Sequence, residues 1–166
     1  IQLPPKTTSF LYWTKQLAEY AKSPALKEEA DFWLKQNIGS NLLPRDHERG
    51  PNNEASTGTV LITLNQKSTL DLLQKVPGVF NTQINDALLT ALVQAMEHWS
   101  GEKELWIQLE GHGREDIIEG VDISRTVGWF TTTYPVVVAC SNDLRQQLME
   151  AKEALHKVPN KGIGSG

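Results

Sequence analysis

Phe10, Trp13, Leu17 and Tyr20 recur at three- and four-residue steps, which places them on one face of a helix. Thr7, Thr8 and Ser9 offer hydroxyl caps ahead of it, and Leu3-Pro4-Pro5 reads as an extended lead-in. A second stripe, Leu26, Ala30, Trp33 and Leu34, predicts a helix over residues 24–36, with Ser23 and Pro24 suited to its cap and first turn. Tryptophans at this spacing are read as packing rather than as ligand-stacking groups. From Asn37 the periodicity stops, and the stretch from Leu42 to Asn53, rich in Pro, Gly and Asn, predicts a linker. Residues 59–64 (TVLITL) then predict a short β-branched strand, and residues 67–74 an amphipathic helix that Pro77-Gly78 stops.

The strongest helix opens at Asn81-Thr82, with Ile84, Leu88, Leu89, Leu92, Val93 and Met96 on one wide face and Gly101 at its C-terminal cap. His98 suits the last turn of that helix. Asp86 near its start is read as a partner of the helix dipole, with a catalytic acid as the alternative. Residues 104–109 and 131–140 predict two strands, the second interrupted by Pro135 at an edge or bulge. Between them lie charge, glycine and hydroxyl, so two strands deliver polar side chains to one place, and this is where chemistry is expected. Gly111 and Gly113 flank His112 and permit a backbone path that a β-carbon would forbid. Trp129 and Phe130 are read as core. A last helix over residues 142–156 turns Leu144, Leu148, Ala151 and Leu155 inward before the PNKGIGSG end.

Composition narrows the classes. The chain has 166 residues, 39% hydrophobic and 22% charged, about one domain of a globular protein. Lys plus Arg 16 against Asp plus Glu 20 leaves a formal charge of −4 with no basic stripe, which argues against nucleic acid. No apolar run approaches the roughly 20 residues that span a membrane. The single cysteine, Cys140, closes an apolar run, is read as core, and fits a reducing cytoplasm without disulfides or a metal framework. No signal peptide is visible, and the opening at Ile1 reads like the middle of something longer. Arg45, Asp46, His47 and Glu48 are read as solvated linker charge rather than a metal or catalytic cluster. Gly162, Gly164 and Gly166 follow a helix rather than a strand, so they are no dinucleotide fingerprint. Ser124, His112 and Asp122 lack the strand-to-helix elbow of a nucleophile triad.

EGHGRE at 110–115, DISRTVGWFTTTYPV at 122–136 and PNKGIGSG at 159–166 arrive in one order. Together they resemble the condensation-domain superfamily of nonribosomal peptide synthetases, and the first two resemble its epimerization branch, as does INDALLTAL at 84–92. The resemblance implies an α/β fold like chloramphenicol acetyltransferase, a two-layer sandwich in two lobes with a tunnel between them, here partial. Residues 1–40 would be the helical end of the N-terminal lobe, 41–58 a linker, and 59–166 the first part of the C-terminal lobe. The family's HHxxxDG motif, which carries its catalytic histidine, is absent, and none of His47, His98, His112 or His156 has that context.

The implied activity is an isomerase step of peptide antibiotic biosynthesis. The α-carbon of an aminoacyl or peptidyl thioester is inverted by removing a proton and returning one to the opposite face. A thioester acidifies that proton more than an amide does, and the step needs an acid/base pair and enolate stabilisation but no metal. The resemblance makes Glu110 one member of the pair, expected in a water-poor passage that raises its proton affinity. Arg114 is expected to pair with Glu115, Asp116 or Asp122, and His112, Arg114, Ser124 and Arg125 to brace the loop or line the route of the substrate arm. No cofactor is expected to bind directly; a phosphopantetheine arm is delivered by a carrier protein. The implied partners are that peptidyl carrier protein, neighbouring synthetase modules and the histidine-bearing part of the same domain, all in the cytoplasm. A peptide-bond-forming condensation domain and a noncatalytic docking domain are the alternatives, and the 166 residues alone are expected to be inactive.

Overall fold

The structure, a computed structural model, describes residues 4–36, 43–47, 49–51 and 53–165. Leu3, Asn37, Leu42, Glu48, Asn52 and Gly166, which belong to the lead-in, linker and C-terminal readings above, lie outside the described residues. Helix α1 (Phe10–Tyr20) starts where Ser9 Oγ accepts from the Tyr12 N–H at 3.2 Å. Helix α2 (Pro24–Lys35) is capped in the same way by Ser23, with Pro24 in the first turn, where its missing N–H leaves no bond unmade.

The next stretch departs from expectation twice. Residues 59–64 form no strand among the described residues: Val60, Leu61 and Ile62 are more than 80% exposed. β-branched residues favour a strand only where a neighbour offers a ladder and a packing surface, and the described residues give this segment neither. Nor does Pro77-Gly78 stop the following helix. Helix α3 (Gln66–Leu70) passes through a π-helical turn (Asp71–Lys75) into α4 (Val76–Phe80). The wider turn restarts the hydrogen-bond ladder, so Pro77 stands in a first turn, where proline is tolerated. Asn81, expected to open the next helix, instead closes α4 with φ 50°.

Helix α5 (Ile84–Ser100) begins at Gln83, whose N–H donates to Asp86 Oδ2 at 2.7 Å. Asp86 is buried in this capping box, which makes it a structural residue. Helix α6 (Leu144–His156) buries Gln147, Leu148 and Ala151, whereas Leu144 is exposed at an apolar hollow of about 710 Å³ that Leu148 also lines. Both polar atoms of the buried Gln147 side chain have a partner: Oε1 accepts from the Ser141 N–H at 2.7 Å and Nε2 donates to Ala139 O at 3.0 Å.

Strands β1 (Glu104–Gly111) and β2 (Thr132–Ala139) form a two-stranded sheet. The Cys140 N–H donates to Lys103 O at one end, and Gly113 lies against Phe130 at the other, so the pair is antiparallel with Glu110 opposite Thr133. In that register Pro135 stands opposite Gln108 at a non-hydrogen-bonded position, where its missing N–H costs the ladder nothing. The chain gathers into two compact units, Ile1–Gly39 with Trp106–Val137 and His156–Gly166, and Ser40–Leu105 with Val138–Leu155. The first has its own core of Trp13, Ile123 and Phe130, with Leu17, Ile117, Ile118 and Val121 packed against it. Phe130 meets Phe10 edge-on at 5.2 Å between ring centroids. Cys140 is half-buried rather than core, and burial pushes its thiol pKa up, with Glu97 adding to the effect.

Candidate active site

Alternation along the strands sorts the residues of the first unit. On the β1 side Gln108, Glu110 and His112 are exposed, while Leu109, Gly111 and Gly113 turn inward. On the β2 side Trp129, Thr131 and Thr133 are exposed, while Phe130, Thr132 and Tyr134 turn inward. Trp129 therefore corrects the core reading. It is 82% exposed, its Nε1 donates to Thr131 Oγ1, and only its neighbour Phe130 is core.

Gly113 accounts for the backbone path after Glu110. Its φ is +65°, and a β-carbon there would stand 1.6 Å from Phe130 O, so glycine alone fits. His112 then folds back on the loop, with Nδ1 accepting from the Arg114 N–H at 3.0 Å and Nε2 facing Glu115 Oε1 at 3.4 Å. An accepting Nδ1 puts the proton of a neutral ring on Nε2, the nitrogen that faces the carboxylate.

Arg114 does not pair with Glu115, Asp116 or Asp122. Its two terminal nitrogens donate to Ile123 O at 2.6 Å and Thr126 O at 2.8 Å, and its guanidinium lies 4.0 Å from the Phe130 ring centroid. The planar fork spans the two carbonyls of one turn, in which Ile123 O also accepts the Thr126 N–H at 3.1 Å. Asp122 has another partner: Ser124 donates to it through Oγ at 2.7 Å and through its N–H at 3.0 Å, which holds the Asp122 carboxyl below the usual range. Arg125 donates to Pro5 O at 3.0 Å, Thr8 N–H donates to Asp122 O at 2.8 Å, and Thr126 Oγ1 donates to Thr8 O. The loop over residues 122–126 is thus held on one side by the segment before α1 and on the other by Arg114.

Glu110 contrasts with all of these. It is exposed and has no hydrogen bond or ion pair among the described residues, and Arg114 does not reach it. The water-poor surroundings expected for it are not built by the described residues. A hollow of about 380 Å³ on the same unit is lined by His112, Arg114 and residues 127–131. Among the described residues no group of three or more His, Cys, Asp or Glu side chains could hold a metal ion, and no helix is long and apolar enough to cross a membrane.

Tyr134 is a residue that the sequence reading passed over. Its inward position was legible from TTTYPVVV, since it shares parity with buried Val136 and Val138. Burial raises its pKa, and Glu115 nearby adds to the rise.

A family model described as Condensation domain matches residues 1–166. A linear gramicidin synthase polypeptide of Brevibacillus parabrevis is 48% identical over 169 residues, covering 100% of this chain and 2% of that protein. Bacitracin synthase 2 of Bacillus licheniformis is 43% identical over 169 residues, covering 100% of this chain and 6% of that protein. The solved epimerization domain from the third module of tyrocidine synthetase B superposes with a TM-score of 0.88 at 40% identity, covering 99% of this chain and 37% of that one. The chain thus spans a small part of the length of these relatives.

Proposed function

The chain belongs to the condensation domain family and carries part of its chloramphenicol acetyltransferase-like fold, and on that premise we propose that it is a segment of an epimerization domain in a nonribosomal peptide synthetase. The observation that carries this reading is the likeness, over 99% of the chain, to a solved epimerization domain. The geometry supports it, because Glu110 stands at a strand end, on the open face of the sheet, with no cation gripping its carboxylate.

In this reading an aminoacyl or peptidyl group arrives as a thioester on the phosphopantetheine arm of a peptidyl carrier protein, and no other cofactor takes part. One member of an acid/base pair removes the α-proton, the electron pair is held on the thioester oxygen as an enolate, and the other member returns a proton to the opposite face. Glu110 is one member. A histidine of the same parent domain, outside these 166 residues, is the other. The remainder of that domain closes over the exposed face and supplies the dry surroundings that let a carboxyl exchange protons near neutral pH. Arg114, Ser124 and Arg125 brace the loop beside it, and His112 and Thr131 lie on the face along which the arm runs. The lobe boundary falls within residues 41–58. The 166 residues alone turn over nothing.

The test is a racemisation assay on a carrier-loaded aminoacyl thioester, run with the full-length parent and its Glu110→Gln variant. Inversion that depends on Glu110 supports the reading. Joining of two substrates without a change of chirality assigns peptide-bond formation instead, and neither activity assigns docking.

A further inference from the structure

The PNKGIGSG turn has no task in the reaction just described, and the geometry points to one: the left-handed turn at Asn160, Lys161 and Gly162 positions the Glu110 carboxylate by fixing the Tyr134 ring beneath the β1 backbone at Gly111. This rests on the proposed role of Glu110.

The turn is anchored at one end. Asn160, Lys161 and Gly162 have φ of 43°, 52° and 83°, a left-handed path that Gly162 takes freely and Asn160 readily, and that Lys161 takes only against its β-carbon. The Asn160 side-chain amide donates to Tyr20 Oη at 3.1 Å and to Glu29 Oε1, and the Tyr20 hydroxyl donates to the same Glu29 oxygen at 3.1 Å. Helices α1 and α2 therefore hold Asn160 through these two side chains.

At its other end the turn bears on three consecutive residues of β2. Thr132 Oγ1 donates to Lys161 O at 3.4 Å, and Ser165 Oγ donates to Thr133 O at 2.6 Å. Gly162 is packed so closely on Tyr134 that a β-carbon would stand 2.0 Å from Cδ1 and 2.4 Å from Cγ. In the antiparallel register those three residues face Gly111, Glu110 and Leu109. The Tyr134 ring continues the contact across the sheet, since a β-carbon on Gly111 would lie 3.4 Å from Tyr134 Cε1 and 3.1 Å from Thr132 Oγ1. The ring thus lies between two glycines on the inner face, tight against Gly162 and about a methyl group's width from Gly111, and Glu110 projects from the other face one residue along. Because Glu110 has no partner of its own among the described residues, its backbone is the one restraint they place on where its carboxylate lies.

The test uses the full-length parent and the same thioester, with kcat and KM measured separately. Gly162→Ala drives the ring toward Gly111 and is expected to lower kcat about tenfold or more, since small misplacements of a reacting group are costly, with KM for the loaded carrier essentially unchanged. Tyr134→Leu removes the wedge. In that background Gly162→Ala is expected to lower kcat far less than it does in the parent, because strain from the positive φ is common to both backgrounds and only the clash depends on the ring. Tyr134→Phe keeps the wedge and is expected to keep the rate. If Gly162→Ala does not fold, Tyr134→Trp supplies the oversized wedge, with the same fall in kcat expected. Additive losses in the double variant, a fall confined to KM, or a Tyr134→Phe variant as slow as Tyr134→Leu overturn the inference. Glu110→Gln separates the two levels. Full racemisation by that variant defeats the reading of Glu110 itself, whereas an inactive Glu110→Gln beside a fully active Gly162→Ala defeats the positioning role alone.

Discussion

The two faces of the β1–β2 ribbon have opposite characters. Inward, Leu109, Gly111, Gly113, Phe130, Thr132 and Tyr134 are partly or fully buried, and glycines stand where a β-carbon would collide with Phe130 O or crowd Thr132. Outward, Gln108, Glu110, His112, Trp129, Thr131 and Thr133 are all exposed. Glu110, the residue proposed to carry the chemistry, thus sits on the open face, and the residues proposed to position it sit on the packed one. Stability and reactivity should therefore separate by face.

Phe130→Ala should test the packed face hardest. It empties the core shared with Trp13 and Ile123 and removes the ring under Arg114, a loss of about 3–5 kcal/mol in urea denaturation of the parent domain. Arg114→Ala should follow at about 3 kcal/mol, because two loop carbonyls lose a charged donor, and Arg114→Lys should recover less than half of it, since an ammonium cannot fork between two carbonyls. Trp129→Ser, one residue from Phe130 but on the open face, should change stability by no more than about 0.5 kcal/mol. A large loss there would show that the two faces do not differ as described. The smallest effect is a titration. Asp122, held down by Ser124, should keep its charge below the ordinary carboxylate range, so its contribution is present above about pH 4 and fades only as pH falls through the lowered value. The Asp122 carboxyl carbon shift should show this, and Ser124→Ala should bring the midpoint back up.

Both strands, α1, α2, α5, α6 and the glycine requirement after Glu110 were legible in the sequence. What was not legible depended on partners. TVLITL has the composition of a strand but no neighbour among the described residues to make it one. Trp129 and Phe130 are adjacent aromatics of equal apolar weight, and only the strand's parity sends one inward. Arg114 has three acidic residues nearby in sequence, yet the loop offers it better-aimed carbonyls. Pro77 reads as a stop unless a π turn resets the ladder ahead of it, and no pattern of apolar residues announces that turn.

The most direct test of Glu110 is hydrogen exchange at the substrate α-carbon. The full-length parent, given a carrier-loaded aminoacyl thioester in deuterated water, should incorporate deuterium at that carbon and yield both configurations. Glu110→Gln should slow formation of the inverted, deuterated product by about 10²–10⁴-fold, the usual contribution of a positioned acid/base group. Inverted, deuterated product formed by the Glu110→Gln variant at the parent's rate would contradict the account.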